Sequence, residues 1–206
     1  APRPLHKSAK LRIAYFSADF RIHPLLHLIT RMLELHDKNK FEVYAYSFGF
    51  NKKDKMRQRV IDTVDKFTDI DTVSDLNAVK LVRDDKIDIA IDLTGYTENC
   101  RPNIFAHRMA PIQINYLGYP GTMGAEFIDY IVTDKVLVPD EYKHHLSEKV
   151  IEMPNSYMVT DNTREISNQI MNRSQQGIPK YAFVFCCFNN AYKISPREFD
   201  IWMRLL

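Results

Sequence analysis

The chain has 206 residues, of which 45% are hydrophobic, so it can bury one large core and part of a second. Its net charge of +2 is too small, and its lysines and arginines are too dispersed, for a typical nucleic-acid-binding protein. No apolar stretch approaches the ~20 residues that a membrane-spanning helix needs, which argues against a membrane protein.

The first ten residues are polar, contain proline and lack the apolar core of a signal peptide. We interpret residues 1–10 as a connector inside a longer polypeptide. Two of the three cysteines are adjacent in an apolar run and the third is isolated, which fits neither a disulfide framework nor a zinc site. We therefore expect a reducing, cytoplasmic location.

Six runs of apolar residues predict β-strands. Several of them are almost entirely apolar, as expected for strands that are covered on both faces, and this pattern favours a parallel sheet. The predicted strands are residues 12–16, 41–48, 87–93, 113–117, 130–133 and 149–152.

Helical patterns lie between these strands. The first helix begins at Pro24, a residue that suits the first helical position, and the third can be capped by Ser74. The alternation predicts an α/β domain over residues 11–152, with a Rossmann-like, doubly wound and mostly parallel sheet. The predicted helices are residues 24–36, 52–65, 74–85, 102–109 and 124–129.

A polar stretch, residues 153–180, predicts a connection between two lobes. After it the pattern restarts with a predicted strand at 181–188 and a helix that opens at Ser195. A capping box is predicted from Ser195, Pro196 and Glu198. We interpret 181–206 as the first strand and helix of a second lobe; the apolar face of its helix holds Phe199, Trp202, Met203 and Leu206.

His23 lies where the first strand gives way to the first helix. In open α/β sheets, ligands bind at such strand-to-helix crossings, and an imidazole suits proton transfer near neutral pH. Asp19 precedes His23 by four residues and His27 follows it by one helical turn. Spacing alone leaves a structural alternative open, in which His23 caps the helix, Asp19 forms a turn and His27 lies at an interface.

Three runs, in this order and at these separations, carry a family resemblance: SADFRIHP, GYTENCRPNIFAHRMAPIQINYLGYPGT and CCFNNAYKISP. The chain resembles the catalytic region of the O-linked N-acetylglucosamine transferase family over residues 11–206. The resemblance implies the first lobe of a GT-B glycosyltransferase. It also implies inverting, metal-independent transfer of N-acetylglucosamine from UDP to protein Ser or Thr hydroxyls, without a cofactor, and tetratricopeptide repeats as a possible preceding segment.

The resemblance assigns roles to individual residues. His23 corresponds to the active-site histidine and Asp19 to a nearby aspartate, and either can serve as the base. Lys193 corresponds to the lysine that contacts the donor diphosphate, and Tyr192 to a tyrosine near the reaction centre. The two lobes are expected to face each other across a cleft. From the residues alone, Lys193 has an alternative interpretation as an ordinary solvated lysine.

Further positions follow from the same resemblance. Asn190, Pro24 and Leu25 are expected at the donor. The sugar and acceptor cleft is expected to involve Tyr96, Leu117, Gly118, Pro120 and His27. Taken singly, LGYPG is also a good turn and Tyr96 is also compatible with a buried core position.

Two departures from the family pattern put the sugar in doubt. Leu25 stands where the animal enzymes carry Thr, and Asn190 replaces a Gln that reads the nucleotide. A glucosyltransferase, or an enzyme that transfers the sugar to Asn, is therefore an alternative. A catalytically silent partner-binding module is a further alternative, and the joint presence of Asp19, His23, Tyr192 and Lys193 argues against it. His144 and His145 lack a third ligand and are interpreted as surface residues. A chain without most of the donor lobe is expected to be inactive alone.

Overall fold

A computed structural model of the chain describes residues 9–49 and 53–206, which divide into two compact units between Arg164 and Glu165. The boundary falls inside the stretch predicted as a connection, residues 153–180. The predicted connector 1–10 lies outside the described residues up to position 8.

The first unit is built on a seven-stranded sheet in the order β3-β2-β1-β4-β5-β6-β7, in which every neighbouring pair is parallel. The predicted parallel α/β sheet is thus confirmed. The central strands are largely buried, as the apolar runs indicated. The strands are β1 Leu11–Ser17, β2 Phe41–Ser47, β3 Lys66–Asp69, β4 Ile89–Asp92, β5 Ile112–Asn115, β6 Tyr130–Thr133 and β7 Lys149–Glu152.

Helices cover both faces of this sheet. On one face, α1 (Pro24–Glu34) and α2 (Lys55–Thr63) enclose a core that includes Tyr15 of β1. On the other face, α3 (Asp75–Asp84) and α4 (Pro102–Ala106) enclose a core that includes Phe16. Successive side chains of β1 therefore enter opposite cores, which is the period of two that defines a strand buried on both sides.

Three details differ from the sequence-based expectations. Strand β3 was not predicted, because it is a four-residue edge strand with charged ends and little apolar signal. The predicted helix 124–129 is a turn, since Gly124 has a left-handed φ of 59° that a helix cannot contain. The predicted helix 52–65 starts at Lys55 behind the N-cap Asp54, and its predicted first residue lies outside the described part of the chain.

The end of the first unit is fastened to its core. Asp134 accepts a hydrogen bond from the Tyr157 N–H at 2.7 Å, and the Tyr116 hydroxyl donates to the Tyr157 carbonyl at 2.8 Å. Further along, the buried carboxylate of Asp161 pairs with Arg59 of α2 at 2.6 Å. Residues 157–163 are therefore part of the first unit's packing rather than a free linker.

The second unit consists of irregular chain, two 3₁₀ turns (Ser174–Gln176 and Ala191–Lys193) and α5 (Pro196–Leu205). The predicted strand 181–188 is irregular and exposed here. A strand needs a neighbour for its hydrogen-bond ladder, and the described residues of this unit include no strand with which this run could pair. Ser195 is the N-cap of α5, but its side chain makes no cap hydrogen bond, so the predicted capping box is not formed.

Candidate active site

The strand order places a topological switch between β1 and β4. The chain leaves β1 toward β2 and β3 on one side, whereas β4 to β7 lie on the other, so the loops after β1 and β4 diverge. In open parallel sheets this crevice at the carboxyl ends of the strands is where ligands bind. The two loops are joined directly, because the Ala18 N–H donates to the Thr94 hydroxyl at 3.2 Å.

The predicted pair Asp19 and His23 lies in the loop after β1. Nδ1 of His23 is 3.7 Å from Oδ2 of Asp19, and Oδ1 of the same carboxylate accepts from Arg21 at 2.8 Å. The His23 side chain is 36% exposed and that of Asp19 is 13% exposed. The two titratable groups are thus adjacent at the opening of the crevice, one reachable from solvent and one largely covered.

His23 is also the N-cap of α1, with its Nδ1 accepting a hydrogen bond from the Leu25 N–H at 3.2 Å. The structural alternative considered from the sequence, a helix cap, is therefore confirmed as one role of this residue. Because a backbone N–H always donates, a neutral ring in this position carries its proton on Nε2. The other edge of the ring, which bears Nε2, is not used by the cap.

The surroundings of His23 favour the neutral form of its imidazole. Burial lowers the pKa of His23, and the neighbouring Arg21 and His27 lower it further, although the Asp19 carboxylate acts in the opposite direction. A neutral ring can take up a proton, which a permanently charged one cannot. His27, one turn along α1, is half-buried, and its effect on the His23 pKa is coulombic.

Two residues of the first unit, Pro24 and Leu25, were predicted at the sugar-donor site, and they differ in solvent exposure. Pro24 is exposed as the first residue of α1. The Leu25 side chain is buried in the core beneath the helix, and its N–H is the group that His23 caps. A larger or polar side chain at position 25 would therefore have to enter this core.

The loop after β5 forms the neighbouring wall of the crevice. A Cβ on Gly118 would overlap the Leu93 carbonyl oxygen, so only glycine lets this loop approach the end of β4 so closely. Leu117 is buried with a left-handed φ of 69°, and Pro120 is exposed. The Asn115 amide holds the turn by donating to the Tyr119 and Gly121 carbonyls, both at 3.0 Å.

Tyr96 stands at the crevice rather than in the core. It is 47% exposed, its hydroxyl donates to the Met123 carbonyl at 2.8 Å, and its ring packs edge-on against Tyr119 at 5.6 Å. The core alternative for Tyr96 is therefore wrong. The structure brings together Tyr96, Leu117 and Gly118 on the loops that follow β4 and β5.

The remaining predicted site residues belong to the second unit. Asn190 precedes the 3₁₀ turn Ala191–Lys193, and its carbonyl accepts from the Lys193 N–H at 2.9 Å. Tyr192 and Lys193 are both exposed. Lys193 lies two residues before the N-cap of α5.

Asp92 was not predicted as a site residue. It ends β4, is 2% exposed, and accepts hydrogen bonds from the Thr94 and Gly95 N–H groups at 2.9 and 3.1 Å. Burial raises its pKa to about 6 even though these two bonds act to lower it. The available signal was the run IAID followed by LTG, in which a carboxylate closes an otherwise apolar strand.

Replacing Asp92 by Asn should stabilise the chain near neutral pH. The folded pKa of about 6 exceeds the ordinary 3.8, so folding binds a proton between these values and stability falls as pH rises from about 4 to about 6. Asn keeps an acceptor for both N–H groups without the buried charge. We expect Asp92→Asn to raise the free energy of unfolding at pH 7.5 by about 1–3 kcal/mol.

Urea unfolding followed by circular dichroism at pH 4 and 7.5 measures this effect. Most of the gain should disappear at pH 4, where the folded carboxyl is protonated and the unfolded one is close to its own pKa of 3.8. Asp71→Asn, at an exposed turn after β3, is the matched control and should change stability at neither pH. Equal effects of Asp92→Asn at both pH values would contradict the assignment of a buried charge.

Other side-chain groups add little to this site. Within residues 9–49 and 53–206, no group of three or more His, Cys, Asp or Glu side chains is placed to hold a metal ion. His144 and His145 are exposed, as predicted. Cys100, Cys186 and Cys187 are all free. No helix in the described part of the chain is long and apolar enough to cross a membrane.

Comparisons with known proteins agree on one family. The family model described as Glycosyl transferase family 41 matches residues 2–171. A probable UDP-N-acetylglucosamine–peptide N-acetylglucosaminyltransferase of Arabidopsis thaliana is 39% identical over 96% of this chain and 21% of its own length. A UDP-N-acetylglucosamine–peptide N-acetylglucosaminyltransferase of Caenorhabditis elegans is 34% identical over 91% of this chain and 16% of its own length.

A solved structure extends the agreement to the fold. A mutant O-GlcNAc transferase of Thermobaculum terrenum superposes with a TM-score of 0.73 and 30% identity, covering 77% of this chain and 31% of that one. The predicted fold class, an α/β lobe of the GT-B type, is thereby confirmed. The chain spans about a fifth of the length of the curated relatives it matches.

Proposed function

This chain belongs to glycosyl transferase family 41, as its motifs predicted, and we propose that it forms the first lobe and the start of the second lobe of a protein O-linked N-acetylglucosaminyltransferase. The proposed reaction is the inverting transfer of N-acetylglucosamine from UDP to a Ser or Thr hydroxyl of a protein. The observation that carries this proposal is the Asp19–His23 pair at the switch point of the sheet.

The chemistry requires a base on the acceptor side. In the transfer the hydroxyl oxygen forms a bond to the anomeric carbon, the bond from that carbon to the UDP oxygen breaks, and the hydroxyl proton must leave. A serine hydroxyl is a poor nucleophile until its proton has an acceptor. His23 or Asp19 takes this proton in our proposal, Asp19 through an intervening water because its side chain is largely covered.

The cap hydrogen bond determines which ring nitrogen of neutral His23 carries the proton. With Nδ1 accepting from the Leu25 N–H, Nε2 carries the proton and offers no lone pair to a substrate. To accept a proton at Nε2, the ring must first move its single N–H proton to Nδ1, which then gives up the hydrogen bond from the Leu25 N–H and faces the Asp19 carboxylate 3.7 Å away. Asp19 would then stabilise the protonated ring, so the two residues act as a pair.

The departing UDP carries the developing negative charge. We propose that Lys193 stabilises this charge and that Tyr192 lies close to the reacting atoms, with Asn190, Pro24 and Leu25 contributing to the donor site. A fixed cation lowers the energy of a growing anion in the way that a metal ion does in other transferases, so we propose transfer without a resident metal. Tyr96, Leu117, Gly118, Pro120 and His27 are proposed to border the sugar and acceptor cleft.

Two further elements of the proposal concern the cellular setting. The three cysteines are free, which fits a reducing compartment such as the cytoplasm. We also propose, from the family resemblance, that tetratricopeptide repeats precede this chain in the full-length protein.

The proposed function is tested on the longest natural protein that contains this chain, not on the chain alone. Purified protein is incubated with UDP-N-acetylglucosamine and a Ser-containing peptide, and sugar transfer is followed by mass spectrometry. In parallel, donor at about 100 times its Kd should stabilise the protein by about 2.7 kcal/mol, which a thermal shift detects. UDP-glucose and an Asn-containing peptide serve as competing donor and acceptor.

Each alternative has its own outcome. Preferential transfer of glucose, or transfer to Asn, would replace the proposed substrates and keep the enzyme class. Absence of both transfer and a UDP-dependent thermal shift would favour the silent partner-binding module and overturn the proposal. Transfer of N-acetylglucosamine to the Ser peptide is the result that we expect.

A further inference from the structure

The loop that carries Asp19 and His23, residues 18–23, has few hydrogen bonds of its own. The Asp19 N–H donates to the Ser17 hydroxyl at 2.9 Å, and the Arg21 N–H donates to the Asp19 carbonyl at 2.7 Å. A loop with so little internal bonding depends on its surroundings for a defined conformation. The Ala18 N–H donates to the Thr94 hydroxyl, and the His23 carbonyl accepts hydrogen bonds within α1. The backbone between them is contacted from the start of α2, more than 30 residues further along the chain.

Asp54 supplies the first of these contacts. One carboxylate oxygen caps α2 by accepting from the Met56 and Arg57 N–H groups, each at 2.9 Å. The second oxygen accepts from the Ile22 N–H at 2.8 Å, immediately before His23. A single side chain therefore caps one helix and holds the backbone that enters another.

Arg57 supplies the second contact, from a fully buried position. One guanidinium nitrogen donates to the Phe20 carbonyl at 3.2 Å and to the Ser47 hydroxyl at 3.0 Å, and another pairs with Asp69. The guanidinium also lies 4.6 Å from the centre of the Phe67 ring. Side chains of β2 and β3 thus fix the position of the Arg57 guanidinium that holds the loop.

The hydrogen bonds from Arg57 and to Asp54 hold the loop backbone on both sides of Arg21. Phe20 is held by its carbonyl and Ile22 by its N–H, while Asp19 and His23 lie just outside these points. The Phe20 ring adds to this by packing edge-on against Phe67 at 5.7 Å. We call Asp54 and Arg57 the α2 clamp.

We infer that the α2 clamp sets the relative position of the Asp19 and His23 side chains, and that Asp54 and Arg57 are positioning residues for the proposed sugar transfer. The inference rests on the proposed function. Neither residue needs to touch a substrate for this role. Catalytic groups must be held within a fraction of an ångström, because a displacement of about 1 Å can cost about 10²-fold in rate.

Capping of a helix does not require the hydrogen bond between Asp54 and the Ile22 N–H. Ser74 at the start of α3 makes no side-chain cap hydrogen bond, and that helix still forms. Ser is as good an N-cap as Asp, but its single hydroxyl cannot reach the helix N–H groups and Ile22 together. Asp54→Ser therefore separates the cap from the clamp.

The test uses Asp54→Ser in the longest natural protein that contains this chain. We expect kcat for N-acetylglucosamine transfer to fall about 10- to 100-fold, whereas KM for UDP-N-acetylglucosamine changes less than about twofold. The melting temperature should stay within about 2 °C of wild type, because the cap is kept. Hydrogen exchange of the Ile22 amide should become at least about tenfold faster.

Two further variants complete the design. Ser74→Ala, at a cap position without a side-chain hydrogen bond, is the matched control and should change neither kcat nor Ile22 exchange. Arg57→Lys keeps the positive charge beside Asp69 but removes the guanidinium nitrogen that donates to the Phe20 carbonyl. This variant should also lower kcat at constant KM for the sugar donor.

The outcomes separate this inference from the proposed function. An active wild type with unchanged kcat in Asp54→Ser, despite faster Ile22 exchange, would overturn the positioning role alone. A fall of more than about 5 °C in melting temperature would assign Asp54 a folding role instead. An inactive wild type would contradict the proposed function. Exchange of the Ile22 amide would still show whether Asp54 holds the loop backbone.

Discussion

Replacing His23 by Asn is expected to slow sugar transfer by about 10²- to 10⁴-fold, the range over which general acid–base groups contribute. Asn is among the best N-cap residues, so α1 should keep its cap. The substitution removes Nε2 and with it the proton path from the acceptor hydroxyl. Single-turnover transfer by the longest natural protein, at saturating donor and peptide, measures the effect on the chemical step.

Two controls give this experiment its meaning. His144→Asn changes an exposed histidine in a charged turn and should leave the rate within about twofold of wild type. Asp19→Asn distinguishes the partners of the pair: it should reduce the rate substantially if Asp19 accepts the proton or stabilises the protonated ring. Retention of the wild-type rate by His23→Asn would remove His23 from the mechanism and leave Asp19 as the candidate base.

Replacing Lys193 by Ala is expected to lower the rate of the chemical step by about 10²- to 10³-fold, the cost of losing one group that stabilises a developing oxyanion. The ammonium is proposed to balance the charge that grows on UDP as its bond to the sugar breaks. Donor binding should weaken as well, because a diphosphate is already charged in the ground state. Single-turnover rates at several donor concentrations separate the two effects.

Lys180→Ala is the matched control for this prediction. Lys180 is an exposed lysine in the same unit, with its ammonium 5.2 Å from the centre of the Tyr181 ring, and it lies outside the family motif. Its replacement should leave transfer unchanged. Equal losses in the two variants would indicate a general effect of charge on the unit, and a wild-type rate in Lys193→Ala would support its interpretation as a solvated lysine.

The first unit could be predicted from the sequence because its strands are apolar runs separated by amphipathic helices. All of its central strands were predicted, and the edge strand β3 was missed because four residues with charged ends carry no such pattern. The predicted helix 124–129 failed at Gly124, whose left-handed backbone is set by the surrounding turn. In the second unit, an apolar run alone did not make a strand, since ladder partners are needed.

The residues of the site that could be predicted have a local sequence signal, and those that were missed depend on non-local packing. Asp19 and His23 were predicted because both lie in one short loop between a strand and a helix. Asp54 and Arg57 gave no such signal: their importance depends on packing against a loop more than 30 residues away. Asp92 was visible only as a carboxylate in an apolar strand, and its raised pKa depends on burial by the complete sheet.

Protection of His23 from chemical modification tests most directly whether the loop after β1 is the reactive centre of a sugar transferase. Diethyl pyrocarbonate acylates neutral imidazoles, and mass spectrometry reports each histidine of the longest natural protein separately. With UDP-N-acetylglucosamine and acceptor peptide each at about ten times Kd, we predict that modification of His23 slows about tenfold, in proportion to the unliganded fraction. Modification of His144 and His145 should continue unchanged; an equal rate at His23 with and without the substrates would contradict the account.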